Sequence, residues 1–526
     1  MDDVRAPSVL MRVSETGEKP WSWPKNPTAV LTIVGFLGMS AVAVAAAFVG
    51  PHGPTSSWLE RDVTGWLPAG TAGTTLGVVA LVCGLAAVVS AWIALGLILR
   101  RGAPLRPLVK IAALWSLPLM VGPPIYSRDV YSYAALGDMV NHHLSPYSGG
   151  PALLGSSRFV LPVSSIWLRT PSPYGPLFLS LASTAVRAAG NDVVRAVMTL
   201  RLLEVIGMVL IAVALPTLAN AAGKDPARAL WLGVCNPLVL LHFIAGAHND
   251  ALFIGLIVGG LALVYSNRPG LGVLACVLAT AIKATGAIGV AFVVVHAVHA
   301  SPPGSRLRTF LRLTGLATGA FVVATWLTGI GWGWIGALGI PGSTHVLLTP
   351  SLALARVVSM FIGHDATVQG VTGAIGYLVM GGGIAILLWR APTLGTTRAC
   401  GLALALVVAA GPVAFPWYAL WAVIVLAPAG RRIERGYAIL ASVVLTLVLE
   451  PSGSAMPDDV LIGAVALLAA VAIAIALPPV RRWIRGVLAP AIDEYRSSGR
   501  LQPLTSIVRR FLVHGPVSTA SEVTAA

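Results

Sequence analysis

Long apolar segments separated by short polar loops run along most of the chain. Three of these segments come first, and eleven more follow residue 194. A helix needs about 20 apolar residues to span a bilayer, and the period-two alternation of membrane β-barrels is absent. The pattern therefore predicts an all-α polytopic membrane protein, a bundle of about 12–15 transmembrane helices. The predicted spans are 28–50, 71–99, 108–125, 195–219, 229–246, 251–267, 270–283, 285–299, 309–330, 367–390, 398–411, 416–429, 436–450 and 459–478.

One long connection, residues 126–194, interrupts this pattern. Six prolines within it exclude a single continuous helix. Its first part has helical spacing, with Val130, Tyr133 and Leu144 among the apolar positions, opposite Asp138 and His142. We expect an amphipathic helix there, lying in the membrane interface. The short apolar run 174–190 predicts an interfacial or re-entrant helix that does not cross.

Composition supports a membrane protein and argues against a nucleic-acid-binding protein and a protein built on cysteine sites. The chain is 56% hydrophobic and only 10% charged, with a mean hydropathy of +0.83. Its net charge of +15 lies mostly in short loops, so it indicates topology and contact with anionic lipids; no nucleic-acid partner is expected. All four cysteines fall inside apolar segments, which argues against a disulfide framework or a thiolate metal site.

The distribution of arginine and lysine predicts the orientation. Basic residues cluster in alternate loops, which the positive-inside rule assigns to the cytoplasm. Those loops contain Arg100, Arg101, Arg106, Lys110, Lys224, Arg228, Arg268, Arg306, Arg308, Arg312, Arg390, Arg398, Arg431, Arg432, Arg435, Arg481, Arg482 and Arg485. The opposite loops carry mainly acidic residues: Glu60, Asp62, Asp129, Asp138, Asp250, Glu450, Asp458 and Asp459. We therefore expect a multi-pass plasma-membrane protein with both termini inside and the 126–194 connection outside.

Asp129 is the strongest candidate for chemistry. It stands where the third span leaves the membrane, next to Tyr126, Tyr131 and Tyr133. A partly desolvated carboxylate among tyrosines is suited to removing a proton from a sugar hydroxyl. The alternative is a boundary residue that forms a salt bridge with its neighbour Arg128.

Two further clusters lie at the same predicted face. His248, Asn249 and Asp250 begin an apolar run, where they could form a ligand site, a helix N-cap or both. A metal site is disfavoured there because no second histidine follows at i+4. Lys283 lies between two short apolar runs; we expect it to bind a phosphate, or else to pair with Asp250 or Glu204.

Aromatic residues gather at the predicted outer turns. Phe415, Trp417 and Tyr418 lie at one turn, and Trp326, Trp332 and Trp334 lie in another segment near His345. Interfacial aromatic belts explain such residues without any function, and sugar stacking is the functional alternative. Arg169 and Tyr174 in the proline-rich part of the connection are weaker candidates for ligand contact.

At these motifs the chain resembles a known family. The runs SRDVYSYAALGDMVNHHLSPYSGGP, PSPYGPL, HNDALFIGL, IKATG and FPWYALWA resemble the actinobacterial polyprenyl-phosphomannose-dependent α-1,6-mannosyltransferases of the GT-C superfamily, which extend the mannan backbone of lipomannan and lipoarabinomannan. The resemblance covers most of residues 28–478. It departs from a minimal GT-C core in having two spans before the one that ends at Asp129, which we interpret as an N-terminal addition.

The resemblance implies a reaction. The donor would be β-linked polyprenyl-phosphate mannose and the acceptor a lipid-anchored mannoside with a free 6-hydroxyl. Inversion at C1 would use Asp129 as the general base and no nucleotide. The expected substrate-binding residues are Arg128, Tyr131, Tyr133, Asp138, Tyr147, Arg169, Tyr174, His248, Asn249, Asp250, Lys283, Trp417 and Tyr418. No cofactor and no metal ligands are expected, although a divalent ion is left open.

The predicted organisation has four parts: a cytoplasmic tail 1–27, an N-terminal pair of spans 28–107, a GT-C-like domain 108–478 with its external loop 126–194, and a cytoplasmic tail 479–526. A basic amphipathic piece, 507–512, is expected to rest on the inner leaflet. Two alternatives stay open. One is another polyprenyl-phosphate-sugar enzyme, such as an α-1,2-mannosyl- or arabinosyltransferase. The other is a sugar or lipid transporter or flippase, although no inverted repeat is evident.

Overall fold

The computed structural model describes residues 26–50, 70–190, 192–340, 350–363 and 365–447. These ranges contain helices and no strand, so the predicted all-α polytopic membrane fold is confirmed. Up to the site region the helices are α1 (Pro27–Val49), α2 (Gly70–Ile98), α3 (Leu105–Val121), α4 (Asp129–Asn141), α5 (Ser165–Leu168), α6 (Pro176–Ala189), α7 (Val193–Ala221), α8 (Pro226–Gly233) and α9 (Pro237–Val239). Those that follow are α10 (Asp250–Tyr265), α11 (Pro269–Ile282), α12 (Ala287–Ala300), α13 (Arg306–Thr328), α14 (Trp334–Ala337), α15 (Pro350–Ile362), α16 (Asp365–Leu394), α17 (Thr396–Ala410), α18 (Ala419–Ala429) and α19 (Arg432–Leu447).

Several predictions fall outside the described residues: the N-terminal tail up to residue 25, the acidic loop at 60–62, His345, the span 459–478 and the C-terminal tail with its amphipathic piece. Chain contacts group residues 31–468 as one unit; the second unit comprises 1–30 and 469–526, of which only 26–30 are described. The four-part division of the chain stays a prediction.

The helices differ in their capacity to cross a bilayer. Among the described residues, segments of α1, α2, α7, α13 and α16 are long and apolar enough, and the bent pair formed by α8 and the segment from α9 to Ala245 makes up to six. Other predicted spans, such as 251–267 and 398–411, correspond to apolar helices of 16 and 15 residues. At 1.5 Å per residue these are shorter than the roughly 30 Å hydrocarbon core. How many of them cross stays a prediction.

Helix α4 is where the structure differs most from expectation. The helix predicted after the third span is present, but residues 129–139 are all buried. It is enclosed on every side instead of lying with one face in the membrane interface. Helix α6, the predicted short helix of 174–190, packs closely along it. At Gly137 an added Cβ would lie 2.5 Å from the carbonyl carbon of Ala182, so only glycine permits this approach.

The helices that carry the site also approach closely. Helices α7 and α10 meet through Gly207 and Gly255, where a Cβ added to Gly255 would lie 2.6 Å from the Gly207 carbonyl oxygen. Glu204, one turn before Gly207, is therefore near the start of α10. Its Oε2 accepts a hydrogen bond from the Leu252 amide at 3.2 Å.

The bent pair of helices leads to the site through a π-helical turn. Asn236 begins α9, its Oδ1 accepting from the Leu238 amide at 3.0 Å, while its Nδ2 donates to Ser442 Oγ of α19 at 2.7 Å. After α9 the chain continues as a π-helix over Leu240–Ala245, in which the Gly246 amide donates to the Leu241 carbonyl at 2.9 Å. Single π-helical turns occur often at functional sites.

Two tryptophans join α2 to α8. The indole of Trp92 donates to the Trp231 carbonyl at 3.1 Å, and the indole of Trp231 donates to the Trp92 carbonyl at 2.8 Å. Their rings stack with centroids 4.8 Å apart, and Trp92 is fully buried. The predicted N-terminal pair of spans is thereby fixed to α8 by directional bonds as well as by apolar packing.

We expect Trp92→Phe to lower the free energy of unfolding by about 1–3 kcal/mol, because the Trp231 carbonyl loses its buried donor and the ring pair loses volume. The measurement is the thermal midpoint in detergent. Trp326→Phe is the matched control, since the Trp326 side chain is 75% exposed. Equal midpoints for the two variants would contradict the role given to the pair.

Candidate active site

Asp129 begins α4 and is held from several directions. The backbone reaches it through Tyr126, whose φ of 70° lies in the left-handed region that non-glycine residues rarely adopt. Ser127 Oγ accepts from the Asp129 amide at 3.0 Å, and the Trp167 indole donates to Asp129 Oδ1 at 2.9 Å. The expected alternative, a salt bridge to Arg128, is absent from the described residues. The carboxylate is therefore held by a neutral donor, the Trp167 indole.

Burial sets the acidity of this carboxylate. Burial raises the pKa of Asp129 to about 6, against the lowering effects of the Trp167 hydrogen bond and the Lys283 charge. A carboxylate with this pKa is largely ionised at neutral pH yet more basic than a solvated aspartate. These are the properties that a general base needs near pH 7.

His248 faces the other carboxylate oxygen. Its Nδ1 lies 3.6 Å from Asp129 Oδ2, and its ring stacks on Trp417 with centroids 3.8 Å apart. The residue before His248, Ala247, is fully buried and has a φ of 50°. The backbone is therefore strained just before His248, as it is at Tyr126, three residues before Asp129. Burial lowers the pKa of His248 well below its usual range, which keeps the imidazole neutral.

Asp250 and Lys283 form a buried pair. Lys283 Nζ donates to Asp250 Oδ1 at 2.7 Å, and the Trp421 indole donates to the same oxygen at 2.6 Å. Of the alternatives for a structural partner of Lys283, Asp250 is therefore the one found. The helix-cap expectation for Asn249 and Asp250 is wrong, because neither side chain bonds to the first turn of α10 and Glu204 supplies that acceptor instead.

Lys283 ends α11 inside a ring of aromatic side chains. Its Nζ lies 4.9 Å from the ring centre of Tyr418, 5.1 Å from that of Trp421 and 5.7 Å from that of Tyr174. An ammonium group has three donors, and one of them is used on Asp250. The remaining donors are available to an anionic ligand that enters this ring.

Tyrosines of the connection 126–194 contact one another near Asp129. The Tyr147 hydroxyl donates to the Tyr174 carbonyl at 3.0 Å, and the rings of Tyr133 and Tyr174 meet edge to face at 5.2 Å. Tyr133 is almost completely buried, and Tyr131 is buried as well. Of these expected ligand residues, Tyr174 lines the cavity described next, whereas Tyr131, Tyr133 and Tyr147 do not.

One cavity of about 280 Å³ is lined by both Asp129 and Lys283, whereas their partners His248 and Asp250 do not line it. Asp129, Lys283 and Thr285 give it a polar end, and Trp167, Tyr174, Phe415, Tyr418 and Trp421 surround that end with rings. The other end is apolar, lined by Ile288, Leu338, Ile340, Met380, Ile384 and Val407. The cavity therefore accommodates a ligand with a polar head and an apolar tail.

Some predicted residues lie apart from this cavity. Asp138 lies nine residues further along α4, and Arg169 is exposed on the loop. Trp417 stacks on His248 without lining the cavity, and Asn249 is buried with both amide atoms unpartnered in the described ranges. Trp326 and Trp332 are exposed, as interfacial aromatic residues would be.

The sequence analysis missed Trp167, Trp421 and Arg201. Arg201 of α7 is fully buried and donates to the carbonyls of Met120, Gly122 and Ala245, at 3.0, 2.6 and 2.9 Å. These carbonyls end α3 and the π-helix, the two segments that lead to Asp129 and His248. A charged residue inside an apolar segment was the available signal for Arg201. Nothing in the sequence marked the two tryptophans.

The chain matches models of a known protein family. A family model described as "Alpha-(1->6)-mannopyranosyltransferase, N-terminal domain" matches residues 32–299, and one described as "MptB C-terminal domain" matches residues 350–478. No solved structure matches the chain.

Curated relatives carry the same description. Alpha-(1->6)-mannopyranosyltransferase A of Mycobacterium tuberculosis is 32% identical over 451 residues, which cover 82% of this chain and 86% of the relative. The A and B proteins of that name from Corynebacterium glutamicum are 34% and 31% identical. They cover 57% and 65% of this chain and 66% and 62% of the relatives. The chain therefore belongs to the α-(1→6)-mannopyranosyltransferase family.

Proposed function

We propose that this protein is an inverting α-1,6-mannosyltransferase that moves mannose from polyprenyl-phosphate mannose to the 6-hydroxyl of a lipid-anchored α-mannan, in lipomannan and lipoarabinomannan synthesis. One observation carries the proposal: a single cavity holds a carboxylate, a lysine and an apolar end. Family membership supports the transfer of mannose in α-1,6 linkage. The donor, the acceptor and the inversion are those that the resemblance of the motifs implies, and the lining of the cavity supports a lipid-linked donor.

The shape of the cavity supports a lipid-linked donor. Its apolar end is bounded by Met380 and Ile384 of α16, a helix whose neighbouring Leu378 and Val379 are exposed as lipid-facing residues would be. A polyprenyl chain enters from that side, and its phosphate comes to rest near Lys283. Two donors of the ammonium group bind the phosphate while the third stays on Asp250.

The proposed reaction is a single displacement. The acceptor 6-hydroxyl oxygen attacks C1 of mannose as the C1–O bond to phosphate breaks. The hydroxyl proton moves to Asp129, and the electron pair of the broken bond leaves on polyprenyl phosphate. Lys283 stabilises the charge that develops on this leaving group. Because the base and the leaving group act on opposite faces of the sugar, a β-linked donor gives an α product.

We assign the site to the external face of the plasma membrane. Helices α10, α11 and α18 each have a site residue at one end and arginines near the other: Arg268 lies between α10 and α11, and Arg431 follows α18. The positive-inside rule places those arginines in the cytoplasm. The donor is then taken from the outer leaflet without nucleotide or other cofactor, and Trp167, Tyr418 and Trp421 stack on the sugar.

The test uses membranes that contain the protein, labelled polyprenyl-phosphate mannose and a synthetic α-1,6-mannobioside. We expect a labelled α-1,6-mannotrioside that is absent from membranes without the protein. Treatment of this product with α-mannosidase should release the labelled mannose. Transfer of arabinose from polyprenyl-phosphate arabinose, without transfer of mannose, would show that the protein is an arabinosyltransferase and would refute the proposal. Movement of the donor between leaflets without any glycosidic product would show that the protein is a flippase and would likewise refute the proposal.

A further inference from the structure

A second concave surface opens at the far end of α4. This groove has a volume of about 600 Å³. It is lined by Asp138, His142 and Leu144 at the end of the helix and by Leu153, Ser157 and Arg158, among others, in the loop that follows. No residue is shared with the cavity that holds Lys283. The groove is therefore a separate place for a ligand, next to the proposed site.

The floor of the groove is a buried carboxylate. The Asp138 side chain is 6% exposed, and its Oδ2 accepts from Ser157 Oγ at 2.9 Å. His142 Nδ1 hydrogen-bonds to the Asp138 backbone carbonyl at 2.9 Å and lies 3.3 Å from Oδ1. Each carboxylate oxygen has more than one lone-pair site, so both still have capacity for ligand hydroxyls. The carboxylate disfavours anions, whereas a neutral polyhydroxylated molecule fits it.

The groove and Asp129 are neighbours along one helix. Asp129 and Asp138 are nine residues apart, about 13–14 Å of helical rise. Between them a small cavity of about 20 Å³ is lined by Asp129, Ser132 and Leu136 of α4 and by Pro151. Leu153 of the same turn, Pro151–Leu154, lines the groove. The two spaces are thus separated by this one short turn.

Ser132 provides an independent indication that a ligand passes here. Its side chain is 4% exposed, and its Oγ has no hydrogen-bond partner among the described residues. A buried hydroxyl of this kind costs free energy unless a ligand or water completes its bonding. The small cavity beside it has room for about one water molecule. A sugar therefore enters only when the turn 151–154 moves outward.

We infer that the groove is a subsite for the part of an acceptor that lies behind its reacting unit, a neutral chain of linked hexoses. This inference rests on the proposed function. The terminal hexose lies at Asp129, with Ser132 beside it, and the preceding units extend along α4 to Asp138 and Arg158. The subsite binds sugar hydroxyls, so it favours long acceptors over short ones without contacting the reacting atoms.

The test compares an octyl α-1,6-mannobioside with the corresponding tetraoside, using labelled polyprenyl-phosphate mannose. For the wild type we expect a lower KM for the tetraoside. Arg158→Ala should raise the tetraoside KM about tenfold, the effect of losing a hydrogen bond to a charged group, and leave the bioside KM and both kcat values unchanged. Asp138→Asn should also raise the tetraoside KM. Arg158 is exposed, so its variant tests the subsite even where Asp138→Asn folds poorly.

Arg187→Ala is the matched control, since Arg187 is also exposed on the external connection but lies outside the groove. It should behave as the wild type with both acceptors. Equal wild-type KM values for the two acceptors, or equal losses on both in the Arg158 variant, would overturn the subsite while leaving the mannosyltransferase intact. Absence of any wild-type transfer from the mannose donor would instead refute the proposed function.

Discussion

Asp129→Asn should lower the rate of mannose transfer by about 10²–10⁴-fold, the usual contribution of a general base. The amide has the same shape, and its oxygen can still accept from the Trp167 indole, so the fold is expected to persist. Proton removal from the acceptor hydroxyl is what the variant loses. Initial rates at saturating donor measure the effect, and the thermal midpoint in detergent shows that folding is retained.

The pH profile separates a base from a structural carboxylate. Since the pKa of Asp129 is raised to about 6, kcat/KM for the acceptor should fall about tenfold per pH unit below 6 and level off above 7. The residual rate of Asp129→Asn should not follow that curve. Asp192→Asn is the control: it makes the same change at the N-cap of α7, where asparagine caps equally well. Retained transfer in Asp129→Asn would rule out its role as the base.

Lys283→Met is expected to have two separate effects. It leaves Asp250 as an unpaired buried carboxylate, which costs about 3–5 kcal/mol of stability. It also removes the cation that we place at the donor phosphate, and the loss of such a group lowers kcat by about 10²–10³-fold. Lys110→Met, at an exposed position of α3, should change neither quantity.

The double variant Lys283→Met, Asp250→Asn distinguishes the two effects. The amide carries no charge, and its oxygen can still accept from Trp421, so the thermal midpoint should return most of the way to that of the wild type. Transfer should stay low, because no cation faces the phosphate. If stability and transfer both recover, Lys283 is a structural partner of Asp250, and the phosphate site lies elsewhere.

The sequence identified the titratable groups of the site better than their surroundings. Asp129, His248, Asp250 and Lys283 stand out because charged or polar groups are rare in apolar segments, and the structure brings all four together. Trp167 and Trp421 could not be identified, since an indole in a membrane protein is usually an interfacial anchor. Their hydrogen bonds to Asp129 and Asp250 depend on chain segments 38 and 171 residues away.

Fold class was also predictable from hydropathy, whereas the position of α4 was not. Its sequence alternates apolar and polar positions at helical spacing, which in isolation describes a surface helix. The polar side of α4 is covered by other parts of the connection 126–194: Ser157 donates to Asp138, and Ser183 of α6 donates to Asn141 Oδ1 at 2.7 Å. Local periodicity carries no information about such partners.

The π-helix at Leu240–Ala245 also constrains how this protein can diverge. A π-turn contains one residue more than the α-helix it replaces, and each residue of an α-helix advances the chain by about 100°. Deleting any one residue of this segment would restore regular winding and rotate His248 away from Asp129. Homologous chains that keep this geometry are therefore expected to have no gap at this segment, and the length of the segment indicates whether the imidazole still faces the base.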